Sequence, residues 1–268
     1  LENVLGILDK GGLSVNPAKC VLFCKRIEFL GSEISTDGIQ VLPSHVESIQ
    51  RLKVPENVKD LKSFLGATQF VGNHIRSFGE WRRNLTPLLC KGAHWVWGKN
   101  QMWSWTRIKS ALVNSPVLQF IRPHLPVVLE SDASYHSCGA VVFQELPVGE
   151  MTCGSKKPLR SVLAYLSKTF TRPERAWSIF KKELYACYWA IMKTSKMLGT
   201  AVSVEIRTDC RAVSGLMKNK PNPMIARWLT TFLALDVKMT FLKGDANTFA
   251  DLLSRQVFAV DDGGPKPP

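Results

Sequence analysis

The sequence predicts an α/β protein: a mixed five-stranded sheet with helices on both faces, preceded by a smaller, mainly helical region that carries a β-hairpin. Three observations lead there. Residues 125–145 hold two short apolar runs separated by a tight turn, the pattern of a hairpin. A long helical pattern over 172–198 follows a third apolar run. Strand and helix patterns then alternate to residue 253, the order of elements that lays helices over a sheet containing parallel strands.

In order, residues 21–23 and 27–34 read as strands, with Thr36-Asp37-Gly38 as a turn. Residues 43–52 read as a helix opened by Ser44 and Glu47, which are spaced as a capping box. In the segment 57–78, Val58, Leu61, Phe64, Leu65, Val71 and Ile75 fall near one helical face. Residues 84–89 and 100–115 read as two further helical pieces. Pro116 and the segment 122–126 break the pattern, and the boundary between the two parts is placed there. Beyond it, strands are expected at 125–131, 139–145, 161–168, 201–209 and 237–244. Helices are expected at 172–198, 211–218, 224–235 and around 247–255. The tail "DDGGPKPP" reads as disordered linker.

The chain has 268 residues, 45% of them hydrophobic, enough for one large domain or two ordinary ones. It has no apolar run of membrane-spanning length. It shows no signal-peptide pattern and reads as a piece of a longer chain. Its seven cysteines are scattered without a C-x-x-C pair, which points to reduced thiols in an intracellular setting and away from zinc or a disulfide framework. The formal charge of +13 suggests a polyanionic partner, nucleic acid before an anionic membrane surface.

Four acids sit in awkward places. Asp132 closes the first strand of the second part, among small residues. Asp209 closes the apolar strand "VSVEIRTD". Glu183 lies mid-helix, flanked at helical spacing by Ile179, Phe180, Ala186, Cys187 and Ala190, so it points along the packing face. Ala176, Ala186 and Ala190 leave room for close approach to the sheet. Asp251 stands in "FADLLSR". Each has an ordinary reading: a turn for Asp132, an N-cap for Asp209, an ion pair for Glu183, a first-turn helix acid for Asp251. As a set they would meet at one edge of the sheet. Carboxylates that close repel unless cations lie between them. Hard oxygen ligands suit Mg²⁺ or Mn²⁺, and two such ions about 4 Å apart are a standard device for phosphodiester hydrolysis.

From about residue 11 to 256 the sequence resembles the C-terminal part of the reverse transcriptase of Ty3/gypsy-class LTR retrotransposons and their retroviral relatives. The stretches that carry the resemblance are "GGLSVNPAKCVLFCKRIEFLGSEISTDGIQV", "VKDLKSFLGATQFVGNHIRSF", "LESDASYHSCGAVVFQE", "KKELYACYWAI", "VEIRTDCRAV" and "GDANTFADLLSR", in that order. It implies the end of the palm and the primer-grip hairpin at 1–41, thumb and connection at 42–122, an RNase H domain at 123–256, and a flexible tail at 257–268. It implies a ribonuclease H that degrades the RNA strand of RNA/DNA hybrids with two Mg²⁺ or Mn²⁺ ions. Asp132, Glu183, Asp209 and Asp251 are the implied catalytic and metal-binding residues, and Asp132 bridges both ions.

Candidate nucleic-acid contacts are Phe29, Leu30 and Gly31 at the primer grip and Lys59, Lys62, Arg172, Arg175, Lys181, Lys182 and Arg211 on phosphates. Arg51, Lys53, Arg76, Arg82 and Arg83 are further candidates to grip the duplex. For each the alternative is a solvated basic face. Trp95, Trp97, Trp103 and Trp105 are assigned to core rather than to base stacking. The expected partners are RNA/DNA hybrid and other duplex nucleic acid, and the fingers and palm of the enzyme in cis or as another subunit. A homo- or heterodimer is a further expected arrangement, and a cytoplasmic retroelement particle is the expected location.

Two departures from the family pattern stand out. The family's Tyr-x-Asp-Asp polymerase turn is absent, so no polymerase activity is expected of this chain alone. No His precedes Asp251 in "KGDANTFA", where many cellular RNases H carry one. The alternative reading of the whole is a co-opted retroelement fragment that binds nucleic acid, or acts as a scaffold, without catalysis.

Overall fold

The structure is a computed structural model and describes residues 1–75, 77–147, 159–199, 201–208 and 222–241. After helix α1 (Glu2–Lys10) come strands β1 (Arg26–Phe29), β2 (Ser32–Ser35) and β3 (Gly38–Val41), which form a three-stranded antiparallel sheet in chain order. The expected hairpin is thus a meander. Residues 21–23 stay outside it, and the run 27–34 is cut in two. The cause is local: Leu30 (φ 48°) and Gly31 (φ 80°) both take positive φ between Phe29 and its partner Ser32. A two-residue hairpin turn with both central φ angles positive matches the strand twist, and glycine enters that region at no steric cost.

Four helices follow: α2 (Pro43–Arg51), α3 (Val58–Phe70), α4 (Phe78–Arg83) and α5 (Lys99–Val113). The expected capping box does not form. Pro43 occupies the first turn, so Leu42 is the N-cap and no side-chain oxygen accepts from a first-turn backbone N–H there. α3 is capped by the Asn57 side chain, which accepts from the Asp60 N–H at 3.0 Å. Its expected apolar face is buried at Leu61, Phe64 and Leu65, which Val71, Ile75, Leu85, Ile108 and Leu112 join in one core, but Val58 is only half-buried and the helix ends at Phe70, before Val71 and Ile75. Trp95, Trp97 and Trp105 pack against this core. Trp103 does not, and the Arg107 guanidinium lies 5.6 Å from its ring.

The second sheet has the order β6-β5-β4-β7-β8. Its strands are β4 (Val127–Ala133), β5 (Ser137–Glu145), β6 (Arg160–Thr169), β7 (Val204–Thr208) and β8 (Val237–Phe241). β4, β5 and β6 are antiparallel neighbours, whereas β4–β7 and β7–β8 are parallel. The expected helix over 172–198 is two helices, α6 (Arg172–Arg175) and α7 (Ile179–Leu198). The break falls where Ser178 takes extended backbone and its hydroxyl accepts from the Lys181 N–H, starting α7 anew. α8 (Pro223–Ala234) leads into β8. The expected helices at 211–218 and 247–255 lie outside the described residues.

Residues alternate across β4. Val127 and Leu129 face Leu184, Cys187, Ala190 and Ile191 of α7 and Trp228 and Phe232 of α8. Fully buried Leu and Ile side chains contribute about 1.5–3 kcal/mol each, so this face anchors the fold. Val128 packs on the other face with Val141 and Phe143. There Glu130, 1% exposed, receives two bonds from Arg160, at 2.8 and 3.0 Å, while Arg207 grips Glu145 and Glu205. Burial raises the Glu130 carboxyl above its ordinary pKa, although Arg160 pulls it down. No helix among the described residues is long and apolar enough to cross a membrane.

Candidate active site

Asp132 is the penultimate residue of β4 and is half-buried. β4 is central, and β7 runs parallel beside it with Glu130 opposite Arg207, so both strands point their C-terminal ends at one edge of the sheet. Crevices at that end of parallel strands are where α/β proteins gather their chemistry. Across the antiparallel strands Asp132 stands opposite Gly139, which stands opposite Ser167, so the three share one row and one face. Gly139 has no side chain to fill the middle of the row. A cleft opens there, lined by Asp132, Ser134, Ser137, Cys138, Gly139, Leu166 and Ser167 of the sheet and by Ser77 and Glu80 at α4.

Glu183 arrives from the other face. α7 crosses β4 with Cys187 at Ser131, their Sγ and Oγ 3.1 Å apart. Ala186 packs with Ala133 and Cys138, the residues beside Asp132 and Gly139. One turn toward the start of α7, Glu183 is 8% exposed, and its charge is felt by the Cys138 thiol. Burial drives that thiol far above its ordinary pKa, which makes Cys138 a packing residue rather than a nucleophile. The expected apolar stripe around Glu183 is buried at Ala186, Cys187 and Ala190. It fails at Ile179, which is 61% exposed at the first turn of α7, and at Ala176, which is exposed and precedes the helix.

The fold thus carries Asp132 and Glu183 to the same end of β4. Asp209, Asp251, Arg76 and Arg211 lie outside the described residues. Among the described residues no group of three or more His, Cys, Asp or Glu side chains could hold a metal ion.

The remaining candidates are dispersed. Lys59 and Lys62 are exposed on α3, and Arg172 and Arg175 on α6. Lys181 lies over the Trp177 ring at 4.4 Å. Phe29 and Leu30 stand 57% and 73% exposed at the β1–β2 turn beside Gly31.

Two residues at the site were not singled out in the sequence. Glu80 brings an acid from α4 to the Asp132 cleft, where burial raises its pKa against the pull of Arg83. His136, at the tip of the β4–β5 hairpin, is held below its ordinary pKa first by burial and then by the positive charges of Arg83, Arg175 and Lys182. Neither had a local signal, because both depend on the packing of α4 and α6 around the hairpin.

Residues 122–234 match the RNase H-like domain found in reverse transcriptase. The chain is 28% identical, over 277 aligned residues, to the transposon Tf2-3 polyprotein of Schizosaccharomyces pombe, and equally to Tf2-4. The match takes in 100% of this chain and 19% of each polyprotein, so the chain spans about a fifth of their length. Among solved structures it is similar to the foamy viral protease-reverse transcriptase in complex with RNA/DNA hybrid, with TM-score 0.70 and 22% identity, over 100% of this chain and 35% of that one. It is also similar to the foamy viral protease-reverse transcriptase dRH in complex with double-stranded DNA, with TM-score 0.67 and 23% identity, over 90% of this chain and 42% of that one. The second sheet and its helices therefore have an RNase H-like fold. In sequence and fold the chain is similar to the C-terminal region of retroelement reverse transcriptases of the Ty3/gypsy type.

Proposed function

We propose that this chain hydrolyses the RNA strand of RNA/DNA hybrids as the ribonuclease H part of a retroelement reverse transcriptase. The observation that carries the reading is the arrival of Asp132, on the central strand, and Glu183, on the packed helix, at one end of an RNase H-like sheet. Their hard oxygens fit Mg²⁺ or Mn²⁺, with Asp209 and Asp251 as the further ligands that the family resemblance supplies. Divalent ions held there supply an activated water and neutralise charge on the phosphate and the leaving 3′ oxygen. Asp132 and Glu183 fix the position of that charge, because β4 is hydrogen-bonded on both sides and Glu183 is held in a packed helix. The open row at Gly139 leaves a cleft beside Asp132. A net charge of +13 supports a duplex partner, as does the RNA/DNA hybrid in the foamy viral complex.

The test is cleavage of a labelled RNA/DNA hybrid with Mg²⁺, beside EDTA and RNA-only controls. Asp132→Asn keeps the shape and removes the charge, so hydrolysis should fall by about three orders of magnitude or more, since charge stabilisation at a metal site is worth several kcal/mol. A mutant that cleaves at the wild-type rate would reject the site, because Asn serves as a turn residue nearly as well as Asp.

A further inference from the structure

The lining of the cleft beside Asp132 includes four serines and two acids, and among the described residues no lysine, arginine or histidine stands in its wall. Such a wall is not built to grip a polyanion through its phosphates. The two acids lie on opposite sides. Asp132 belongs to β4, with Gly139 and then Ser167 across the row, and Glu80 comes from α4, which is docked on Ser167. The docking holds Glu80 in place. The Gly79 N–H donates to the Ser167 hydroxyl at 2.8 Å, and the Gly79 carbonyl accepts from the Thr169 hydroxyl at 2.9 Å. Phe78 and Gly79 are both buried, so the next residue along α4 cannot draw back from the cleft. Three of the serines are already engaged. The Ser134 and Ser137 hydroxyls lie 3.1 Å apart and bond each other, and the Ser167 hydroxyl accepts from Gly79. Glu80 is thus the charged acceptor that the first part of the chain presents to the cleft.

A carboxylate repels phosphate oxygens and, when ionised, has no proton to donate. It accepts hydrogen bonds, and the donor that RNA carries and DNA lacks is the ribose 2′-hydroxyl. We infer that Glu80 is a strand-selecting residue, whose carboxylate accepts a hydrogen bond from one 2′-hydroxyl of the RNA strand lying in the cleft. The inference rests on the RNA/DNA hybrid proposed above as the partner, but not on its cleavage. A deoxyribose at that position leaves the carboxylate unpaired beside a polyanion, so DNA is disfavoured twice, by the missing bond and by repulsion. Glu80 lies outside residues 122–234, the part that matches the RNase H-like domain, so the choice of strand draws on both parts of the molecule.

The test is a 2′-fluoro scan. Single ribonucleotides of a synthetic hybrid are replaced one at a time by 2′-fluoro nucleotides, which keep an RNA-like sugar pucker but cannot donate. Affinity is measured in EDTA so that nothing is cut. The wild-type protein should lose about tenfold at one position, the size expected of a charge-assisted hydrogen bond. Glu80→Ala should bind the unmodified hybrid about tenfold more weakly, lose nothing further at that position, and match the wild type at every other. Glu80→Gln keeps an acceptor without the charge, so its loss at that position should shrink to about threefold. If Glu80→Ala fails to melt cooperatively, the Glu80→Gln scan decides in its place. A wild-type scan with no sensitive position overturns the contact. So does a Glu80→Ala scan that keeps the full loss, or a Glu80→Gln scan that keeps it where the first variant does not fold. A protein that shows this coupling but does not cleave keeps the contact and loses the ribonuclease reading, whereas one that cleaves without the coupling loses the contact alone.

Discussion

Gly79→Ala tests how tightly α4 is held against the sheet. The Gly79 N–H donates to the Ser167 hydroxyl at 2.8 Å, and the Thr169 hydroxyl donates to the Gly79 carbonyl at 2.9 Å. A Cβ at position 79 would stand 2.4 Å from the Ser167 Oγ and 3.2 Å from both the Ser167 carbonyl carbon and the Lys168 nitrogen. Two of those three obstacles are backbone, so α4 must back away from β6. Losing two neutral hydrogen bonds costs about 2 kcal/mol, and forcing atoms into a packed junction costs a further 1–3 kcal/mol, roughly. Alanine returns at most about 1 kcal/mol through helix propensity. The expected net loss is about 2–4 kcal/mol, read as a lower urea midpoint at constant slope. Adding Ser167→Ala removes the nearest obstacle. The double mutant should then be more stable than the sum of the single changes by about 0.5 kcal/mol or more. A Gly79→Ala protein as stable as wild type, or more so, would refute the close docking of α4.

Two further predictions concern α6 and α7. Burial, the largest influence on Glu174, opposes its ionisation, but hydrogen bonds from Lys168 and from the Thr171 N–H and hydroxyl outweigh it and leave the pKa below the ordinary 4.5. Because the folded pKa is depressed, the stabilisation is full above the ordinary value and fades as pH falls through the folded one. The stability gap between wild type and Glu174→Gln should therefore be widest near neutral pH and shrink in acid, and denaturant titrations at pH 7 and pH 3 that show no narrowing would contradict this. Ser178→Ala removes the side-chain cap of α7 and should cost about 1 kcal/mol in the same assay.

Much of the second sheet was legible because burial leaves a periodic mark. Val127, Leu129, Ala140 and Val142 alternate with residues of the opposite face, and Ala186, Cys187 and Ala190 return at helical spacing. Asp132 was legible as an acid ending an apolar strand, and Glu183 as an acid on an apolar face. What escaped was decided by backbone detail or by distant packing. A leucine at positive φ is uncommon, so nothing at Leu30 announced the turn that divides 27–34. Ser178 has the chemistry of an N-cap, but it sits inside a run whose apolar pattern continues through it. The placing of Glu80 and His136 arises only when α4 and α6 pack around one hairpin, and no local pattern encodes that.

The parallel pairing of β4 with β7 sets an order of assembly. β4, β5 and β6 are neighbours in the chain and can close as a meander while synthesis continues. Val127 must wait for Val204 before its other side is paired. Until then the most deeply buried strand of the sheet presents a free hydrogen-bonding edge, the kind that recruits foreign strands. Loop closure over such a span also slows folding. A chain that ends before residue 204 is therefore left with an unguarded edge, and its fate is to aggregate rather than to persist as a half-built nuclease.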